Sequence, residues 1–170
     1  AYLHQQNEYL VIRAGRANPH ILDKVMVEYY GVPTPIVQMG TVTVSEARIL
    51  NINVWDVSQI KNVEKAISQS DIGITPTNDG KTIRLVFPTL TEERRKEIVK
   101  QVKKLCEETK VAMRNVRRDA LDMLKDLKKD GEISEDEFAA AEKEVQKHID
   151  KYTALADKLE EEKEEEVMKV

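Results

Sequence analysis

The chain has 170 residues, a formal net charge of -4 and one cysteine; 34% of its residues are charged and 5% are aromatic. This length suits one ordinary domain or two small ones, and a single cysteine excludes an intrachain disulfide. No apolar run has the length of a membrane span or the character of a signal-peptide core. We therefore expect a soluble, cytoplasmic protein from a reducing compartment.

The chain opens with a segment of helical periodicity. Residues 2 to 14 predict a short helix that Gly15 caps, and Pro19 disfavours helical geometry at the residue before it. The residues expected on the packed face of this helix are Leu3, Asn7, Leu10 and Ala14. A linker follows at residues 15 to 19.

Residues 19 to 88 change to extended periodicity and predict a β/α/β domain. Strands are expected at 41 to 44 and 48 to 55, a helix at 58 to 70, and a hairpin at Asp79-Gly80. In the second strand, apolar residues alternate with polar ones at Leu50, Ile52 and Val54. Such alternation is typical of a strand with one buried face.

Residues 91 to 129 contain neither Pro nor Gly and predict one helix of nearly 60 Å at about 1.5 Å per residue. Thr91 is placed to cap its first turn. Its apolar seam is expected at Ile98, Val102, Leu105, Thr109, Ala112, Val116, Ala120, Met123 and Leu127. A helix of this length indicates an elongated molecule.

A second row on this helix is cationic. It consists of Lys96, Lys100, Lys103, Lys110, Arg114 and Arg117. Glu107 interrupts the row and Arg118 flanks it. A charged row is usually a solvated helix face, and that interpretation remains open here. The crowding of Arg114, Arg117 and Arg118 favours an anionic ligand, because guanidinium groups repel one another and suit phosphate oxygens.

A last helix is expected after the turn at Asp130 and Gly131. Ser134 and Glu137 form an S-x-x-E capping box, and the run from Glu160 to Glu166 is interpreted as a solvated helix end. The apolar positions are Phe138, Ala141, Val145, Ile149, Tyr152, Ala156 and Leu159. Residues 1 to 15 and 91 to 170 then form an antiparallel three-helix bundle. Crossings at 15 to 19 and 88 to 91 predict a paired hinge.

Chemistry-bearing patterns are weak. His4, His20 and His148 form no ligand-spaced pair, and Cys106 lies beside the apolar seam, where a packed thiol is expected. The spacing of an EF-hand calcium-binding loop is matched by five residues, Asp126, Asp130, Gly131, Ile133 and Glu137. Lys128 would replace a ligand oxygen of that loop, and a turn with a capping box explains the same residues. We predict no catalytic residue, no metal and no cofactor.

Six segments together resemble one family. They are IRAGRANP at 12 to 19, VEYYGVPTP at 27 to 35, NVEKAI at 62 to 67, LTEERRKE at 90 to 97, MRNVRRDA at 113 to 120 and GEISEDE at 131 to 137. The chain resembles bacterial ribosome recycling factors from about Ile12 to its end. AYLHQQNEYL departs from the family pattern, so we expect a short first helix that leaves part of the other two seams exposed.

The resemblance implies an α+β fold with an L-shaped, tRNA-like outline, in which two hinge strands join the bundle to the β/α/β domain. It implies a monomer that binds large-subunit rRNA and, with elongation factor G and its GTP hydrolysis, splits post-termination ribosomes. The rRNA-binding residues it implies, with the neighbouring lysines of the cationic row, are Arg13, Lys103, Lys110, Arg114, Arg117 and Arg118. The hinge residues are Gly15, Arg16, Pro19, Pro88 and Leu90.

Other functions remain open on the residues alone. A coiled-coil interaction protein without a nucleic-acid role would use the same apolar seams. A general RNA-binding helical protein is disfavoured, because 5% aromatic residues offer few platforms for base stacking. An enzyme is the least favoured class.

Overall fold

A computed structural model describes residues 1 to 169 and confirms the α+β class. Its elements in chain order are α1 (Tyr2–Leu10), β1 (Met26–Tyr29), β2 (Val32–Pro35), β3 (Gly40–Glu46), β4 (Ile49–Val54), α2 (Ile60–Gln69), β5 (Thr77–Asn78), β6 (Thr82–Val86), α3 (Glu92–Lys129) and α4 (Glu135–Met168). The chain divides into two compact units. The helical unit comprises Ala1–Tyr9 and Val99–Glu165, and the sheet unit comprises Leu10–Ile98 and the residues from Glu166 on.

The predicted strands are present in the sheet unit. The four-stranded sheet has the order β3-β4-β6-β5 with antiparallel neighbours, and β1 pairs with β2 as a separate hairpin. The β5–β6 turn contains Asp79 and Gly80, as the sequence indicates; Gly80 has φ 93. Backbone N–H groups of Thr82 and Lys81 donate to the Asp79 carboxylate and lower its pKa.

The alternation predicted for β4 is confirmed, since Leu50, Ile52 and Val54 are at most 4% exposed. They pack with the buried side chains of β6 and with the apolar face of α2. Gly40 lies so close to β4 that a Cβ there would be 2.4 Å from the carbonyl oxygen of Asn53. The sheet unit therefore has a core of its own, and its β3–β4 contact requires glycine.

The helical unit packs α1, α3 and α4 side by side. Tyr9 donates from its hydroxyl to the Val102 carbonyl at 2.7 Å, and Gln5 donates from Nε2 to the Ala156 carbonyl at 3.2 Å. Along α3 and α4, Lys103 faces Glu164 and Arg117 faces Gln146. Residues with higher numbers on α3 therefore contact residues with lower numbers on α4, and the two helices are antiparallel as predicted.

The sequence prediction for the first helix was wrong in two respects. The helix ends at Leu10 rather than at residue 14, and its buried residues are Gln5 and Tyr9. Leu3 is 67% exposed and Leu10 42%. Hydropathy misses this face because an amide and a phenol form it, and Gln5 Nε2 and the Tyr9 hydroxyl each donate a buried hydrogen bond to a helix carbonyl.

The predicted seam of α3 is confirmed at all but two positions: Ile98, Val102 and Thr109 are buried, and Leu105, Ala112, Ala120 and Leu127 are half-buried, whereas Val116 and Met123 are exposed. Two further residues of α3 outside the predicted seam, Cys106 and Met113, are also buried. Further along, residues toward α4 are half-buried, but Val116 is 61% exposed and Met123 68%. These two follow Thr109 at heptad spacing and lie on the same side of α3.

Both predicted helix caps are confirmed. The Arg94 N–H donates to Thr91 Oγ1 at 3.1 Å. Ser134 and Glu137 form the reciprocal capping box, with bonds of 2.7 and 3.1 Å, and Gly131 takes the left-handed conformation with φ 78. The acidic run of α4, in contrast, is not simply solvated: Glu160 and Glu164 are half-buried and Lys163 is 7% exposed.

Tyr9→Phe is expected to destabilise the helical unit. The hydroxyl is buried, donates to Val102 and accepts from Gln5 Nε2 at 3.0 Å, so its removal leaves polar groups unpaired at a cost of about 1–3 kcal/mol. Urea unfolding measures the loss. Tyr30→Phe is the control, because Tyr30 is 78% exposed; equal midpoints for the two variants would contradict the assignment.

Among residues 1 to 169, no helix combines the length and the apolarity that a membrane crossing requires.

Candidate nucleic-acid interface

Five of the six predicted rRNA-binding residues lie on one side of α3 in the helical unit. They are Lys103, Lys110, Arg114, Arg117 and Arg118. The helix extends without interruption from Glu92 to Lys129 because no Pro or Gly breaks it, so a spacing of three and four residues aligns these side chains. The structure separates them into those that contact α4 and those that are exposed.

Lys110 and Arg117 contact side chains of α4. The Lys110 ammonium pairs with Asp157, and this bond raises the pKa of the lysine. Arg117 is half-buried and donates from Nε to Gln146 Oε1 at 2.8 Å. Both residues therefore help to hold the helix pair, and the terminal nitrogens of Arg117 remain to meet a ligand.

Arg114 and Arg118 are exposed, and each contacts one exposed side chain of α3. Arg114 Nη2 lies 2.9 Å from Glu107 Oε1, with both side chains about 60% exposed, and Arg118 Nη2 donates to Asn115 Oδ1 at 3.2 Å. An exposed ion pair of this kind contributes about 0–1 kcal/mol. Because each guanidinium has five donors, a phosphate can bind both arginines at low cost.

Lys103 occupies an intermediate position. Its ammonium is 3.7 Å from the half-buried Glu164, while its own side chain is 58% exposed. Burial raises the pKa of Glu164, and the charge of Lys103 opposes that effect. Lys103 thus offsets the negative charge of Glu164 and adds positive potential to the side of α3 that carries the cationic row.

Arg13, the sixth predicted residue, belongs to the sheet unit. Its guanidinium lies over the Phe87 ring, 5.7 Å from the centroid, and Nη2 donates to the Pro88 carbonyl. Burial and then the charge of Arg94 lower its pKa, and Nε is buried without a partner. The structure therefore gives Arg13 a bridging contact between the two predicted hinge segments.

Other contacts also join the two predicted hinge segments to their surroundings. Arg48 donates to Thr89 Oγ1, and Leu90 is 6% exposed. Pro19 opens a 3-10 turn that ends at Leu22, while Gly15 approaches the carbonyl of Lys169. For Arg16, no hydrogen bond or ion pair is found within residues 1 to 169. Hinge motion itself remains a prediction.

Sequence reasoning missed Arg95. It is 8% exposed and donates from Nη1 to the carbonyls of Met168 and Lys169, both at 3.0 Å. Its neighbour Arg94 instead pairs with the exposed Glu97 at 2.7 Å. Nothing in the run LTEERRKE distinguishes the two arginines, because only the position of the α4 end decides which one is buried.

The packed thiol predicted at Cys106 is confirmed. Cys106 is fully buried, and burial first, then Glu160, raises the pKa of its thiol to about 12. Cys106, Asp157 and Glu160 offer ligand atoms within 4.8 Å of one another. The Lys110 ammonium pairs with Asp157, and burial favours the protonated form of the Cys106 thiol.

Cys106 is expected to resist thiol reagents in the folded protein. With a pKa of about 12, only about one thiol in ten thousand is ionised near pH 8, and the sulfur is inaccessible. Reaction with Ellman's reagent should require unfolding and reach completion in concentrated guanidinium chloride. Rapid labelling of the native protein would contradict this packing.

The calcium-like spacing near the α3–α4 turn has a structural explanation. Asp126 lies in the last turn of α3, and Asp130 follows the end of the helix and donates its N–H to the Asp126 carbonyl. Glu137 accepts from the Ser134 N–H in the capping box. These residues are accounted for by helix termination and initiation.

Comparisons with known proteins match nearly the whole chain. The family model described as ribosome recycling factor matches residues 5–168. The ribosome-recycling factor of Caldicellulosiruptor bescii is 60% identical over 165 residues, which are 97% of this chain and 90% of the relative. That of Bacillus subtilis is 54% identical over 165 residues, or 97% of this chain and 89% of the relative.

Solved structures agree with these relatives. A solution structure of ribosome recycling factor matches with a TM-score of 0.81 and 41% identity, covering 99% of this chain and 90% of the other. A second match, with a TM-score of 0.67 and 46% identity, covers 99% and 91%. It is described as models for the T. thermophilus ribosome recycling factor and the E. coli elongation factor G bound to the E. coli post-termination complex.

Proposed function

The chain belongs to the ribosome recycling factor family, and we propose from this that it binds post-termination ribosomes and, with elongation factor G, separates their subunits for a new round of translation. The observation that carries the proposal is the exposed arginine pair on α3, Arg114 and Arg118, beside the half-buried Arg117. Members of this family are translation factors. We assign the contact with the ribosome to these three arginines.

Docking rests on phosphate recognition. Arg114 and Arg118 have weak partners that an rRNA phosphate can replace, and counterion release from the nucleic acid makes such contacts favourable. Arg117 adds donors from a side chain whose Nε is fixed by Gln146, so less conformational entropy is lost on binding. These contacts position the protein on structured RNA through the phosphates of the RNA backbone.

Elongation factor G is the proposed second partner. The second solved structure places this factor together with a ribosome recycling factor on a post-termination complex, and we extend that assembly to this chain. GTP hydrolysis on that partner supplies the work. The residues around Arg13 and Pro88, which a single side chain connects, are the proposed hinge through which that work acts.

The proposed mechanism needs no catalytic group in this chain. Its thiol is buried with a raised pKa, and its cationic side chains bind rather than react. We place the protein on cytoplasmic ribosomes as a monomer that acts as a wedge between subunits.

Subunit splitting provides the test of this function. Post-termination ribosomes mixed with the protein, elongation factor G and GTP should lose light scattering as the subunits separate, and omission of any one component should prevent the loss. A protein that binds helical partners but leaves the scattering unchanged under all conditions would instead support the interaction-protein alternative.

A further inference from the structure

A groove lies within the sheet unit, between the β1–β2 hairpin and α2. Its volume is about 720 Å³, which is within the range typical of ligand sites. One wall is formed by the strand side and the other by the helix, and both come from residues 24 to 70 of this unit. No residue of β2 lines the groove, so it lies on the side of β1 opposite β2.

β1 is an edge strand. Within residues 1 to 169 its only strand partner is β2, which it joins through a two-residue turn at Tyr30 and Gly31. Both turn residues have positive φ, 48 and 80, as in a type I′ turn. The residues that flank such a turn exchange both backbone hydrogen bonds, and bonded pairs then alternate with unbonded pairs along the ladder.

The prolines of β2 agree with this alternation. Glu28 lies opposite Pro33, and Met26 lies opposite Pro35. Because proline has no N–H to donate, these two pairs are the unbonded ones. The backbone N–H and C=O groups of Met26 and Glu28 therefore point away from β2 toward the groove, where no second strand of the described residues pairs with them.

The helix wall of the groove is polar and cationic. Asn62, Lys65 and Gln69 follow one another at spacings of three and four residues and share a face of α2. Lys65 is exposed, and so is Lys61 one turn earlier. In the part of the chain that the structure describes, neither lysine has an ion-pair partner. An anionic group in the groove therefore meets positive charge from α2.

The strand wall ends at an exposed aromatic residue in a strained conformation. Tyr30 is 78% exposed, and among residues 1 to 169 it alone has a positive φ without being glycine. Left-handed backbone is unfavourable for a bulky side chain, and such strain often occurs at binding sites. Met26 is 52% exposed and shares the Tyr30 face of the strand, so the two form an apolar surface beside the open edge.

We propose that this groove binds an extended peptide segment with an acidic residue, which adds to β1 as a third strand. Backbone hydrogen bonds to Met26 and Glu28 supply affinity, as in other cases of strand addition to a sheet edge. Peptide side chains alternate in direction, so apolar ones contact Tyr30 and Met26 while an acidic one meets Lys65. The open edge selects an extended chain, because the two residues present their groups at the repeat of a strand.

Amide hydrogen exchange, followed by nuclear magnetic resonance on the full chain, tests strand addition. The probe is a synthetic peptide of about eight residues that alternates threonine and valine around a central glutamate. Saturating peptide should slow exchange of the Met26 and Glu28 amides. The Val27 and Tyr29 amides, which already pair with β2, should change little. Absence of saturable binding, or binding that leaves the Met26 and Glu28 amides unprotected, would overturn the proposal.

A backbone control uses the same peptide with every amide N-methylated. This peptide keeps the side chains but has no N–H to donate, so it should not bind. Equal binding of the two peptides would show that strand pairing is not the mode of recognition. Protection of Met26 and Glu28 in concentrated protein without peptide would also contradict the proposal, because a second copy would then occupy the edge.

Variants test the two walls of the groove. Lys65→Glu should lower the peptide affinity about three- to tenfold, because an exposed attraction becomes a repulsion. Lys81→Glu makes the same charge change at the exposed β5–β6 turn and should leave binding unchanged. Tyr30→Gly should fold, since glycine adopts positive φ readily, and should weaken binding by removing the ring. Equal losses in the two lysine variants would overturn the assigned contact with Lys65.

Discussion

Alanine at both Arg114 and Arg117 is expected to lower the affinity for isolated large ribosomal subunits by about one to two orders of magnitude. Each lost phosphate contact should also reduce the logarithmic salt slope by about 0.7–0.9. The two residues lie in the densest cationic cluster of α3, and Arg117 is partly fixed by Gln146. Co-sedimentation of the variant at several salt concentrations measures both effects.

The control for this variant must separate charge from position. Lys143→Ala with Lys147→Ala removes the same formal charge from exposed positions of α4 and should change binding little. Gln146→Ala removes the partner of Arg117 without removing an arginine, so it reports the packing contribution. If the lysine control and the arginine variant lose affinity equally, the cluster is only a general cationic surface.

Ile52→Ala is expected to destabilise the sheet unit by about 2–5 kcal/mol. Ile52 is fully buried in β4, opposite Val42 on one side and Ile83 on the other. Removing its side chain leaves a cavity that neighbouring strands cannot fill without losing their register. Denaturant unfolding followed by circular dichroism gives the magnitude.

Val44→Ala is the matched control for the core substitution, since Val44 is 48% exposed on the neighbouring strand. It should cost well under half as much. A small effect of Ile52→Ala, similar to that of Val44→Ala, would contradict the independent core described for this unit.

The fold was most predictable where local pattern and packing agree. Alternation located β4, because Leu50, Ile52 and Val54 face one core. Capping chemistry located the starts of α3 and α4, because Thr91 and Ser134 satisfy N–H groups of their own helices. These interactions depend on residues a few positions apart, and one sequence contains that information.

The remaining features depend on where distant elements lie. The spacing of α3 gives Val116 and Thr109 the same environment, but Thr109 is 5% exposed and Val116 61%. Likewise, the sequence predicts α1 to pack through Leu3 and Leu10, whereas Gln5 and Tyr9 reach carbonyls of α4 and α3. Hydrogen bonds between helices far apart in sequence have no local signature.

The cationic row shows the same limit within the candidate site. Spacing aligns Arg114, Arg117 and Lys110, yet it cannot show that two of them are engaged by α4 while Arg114 is exposed. Arg13 was assigned to rRNA through family resemblance, and the structure adds its contact with Phe87 and Pro88. Its role in RNA binding remains a prediction.

Docking of α3 on rRNA can be tested by co-sedimentation of the unmodified protein with isolated large ribosomal subunits across a salt series. We expect binding at low salt that falls steeply and linearly on logarithmic axes, because several arginine–phosphate contacts release counterions. Absence of binding at low salt, or binding that salt does not affect, would contradict this docking.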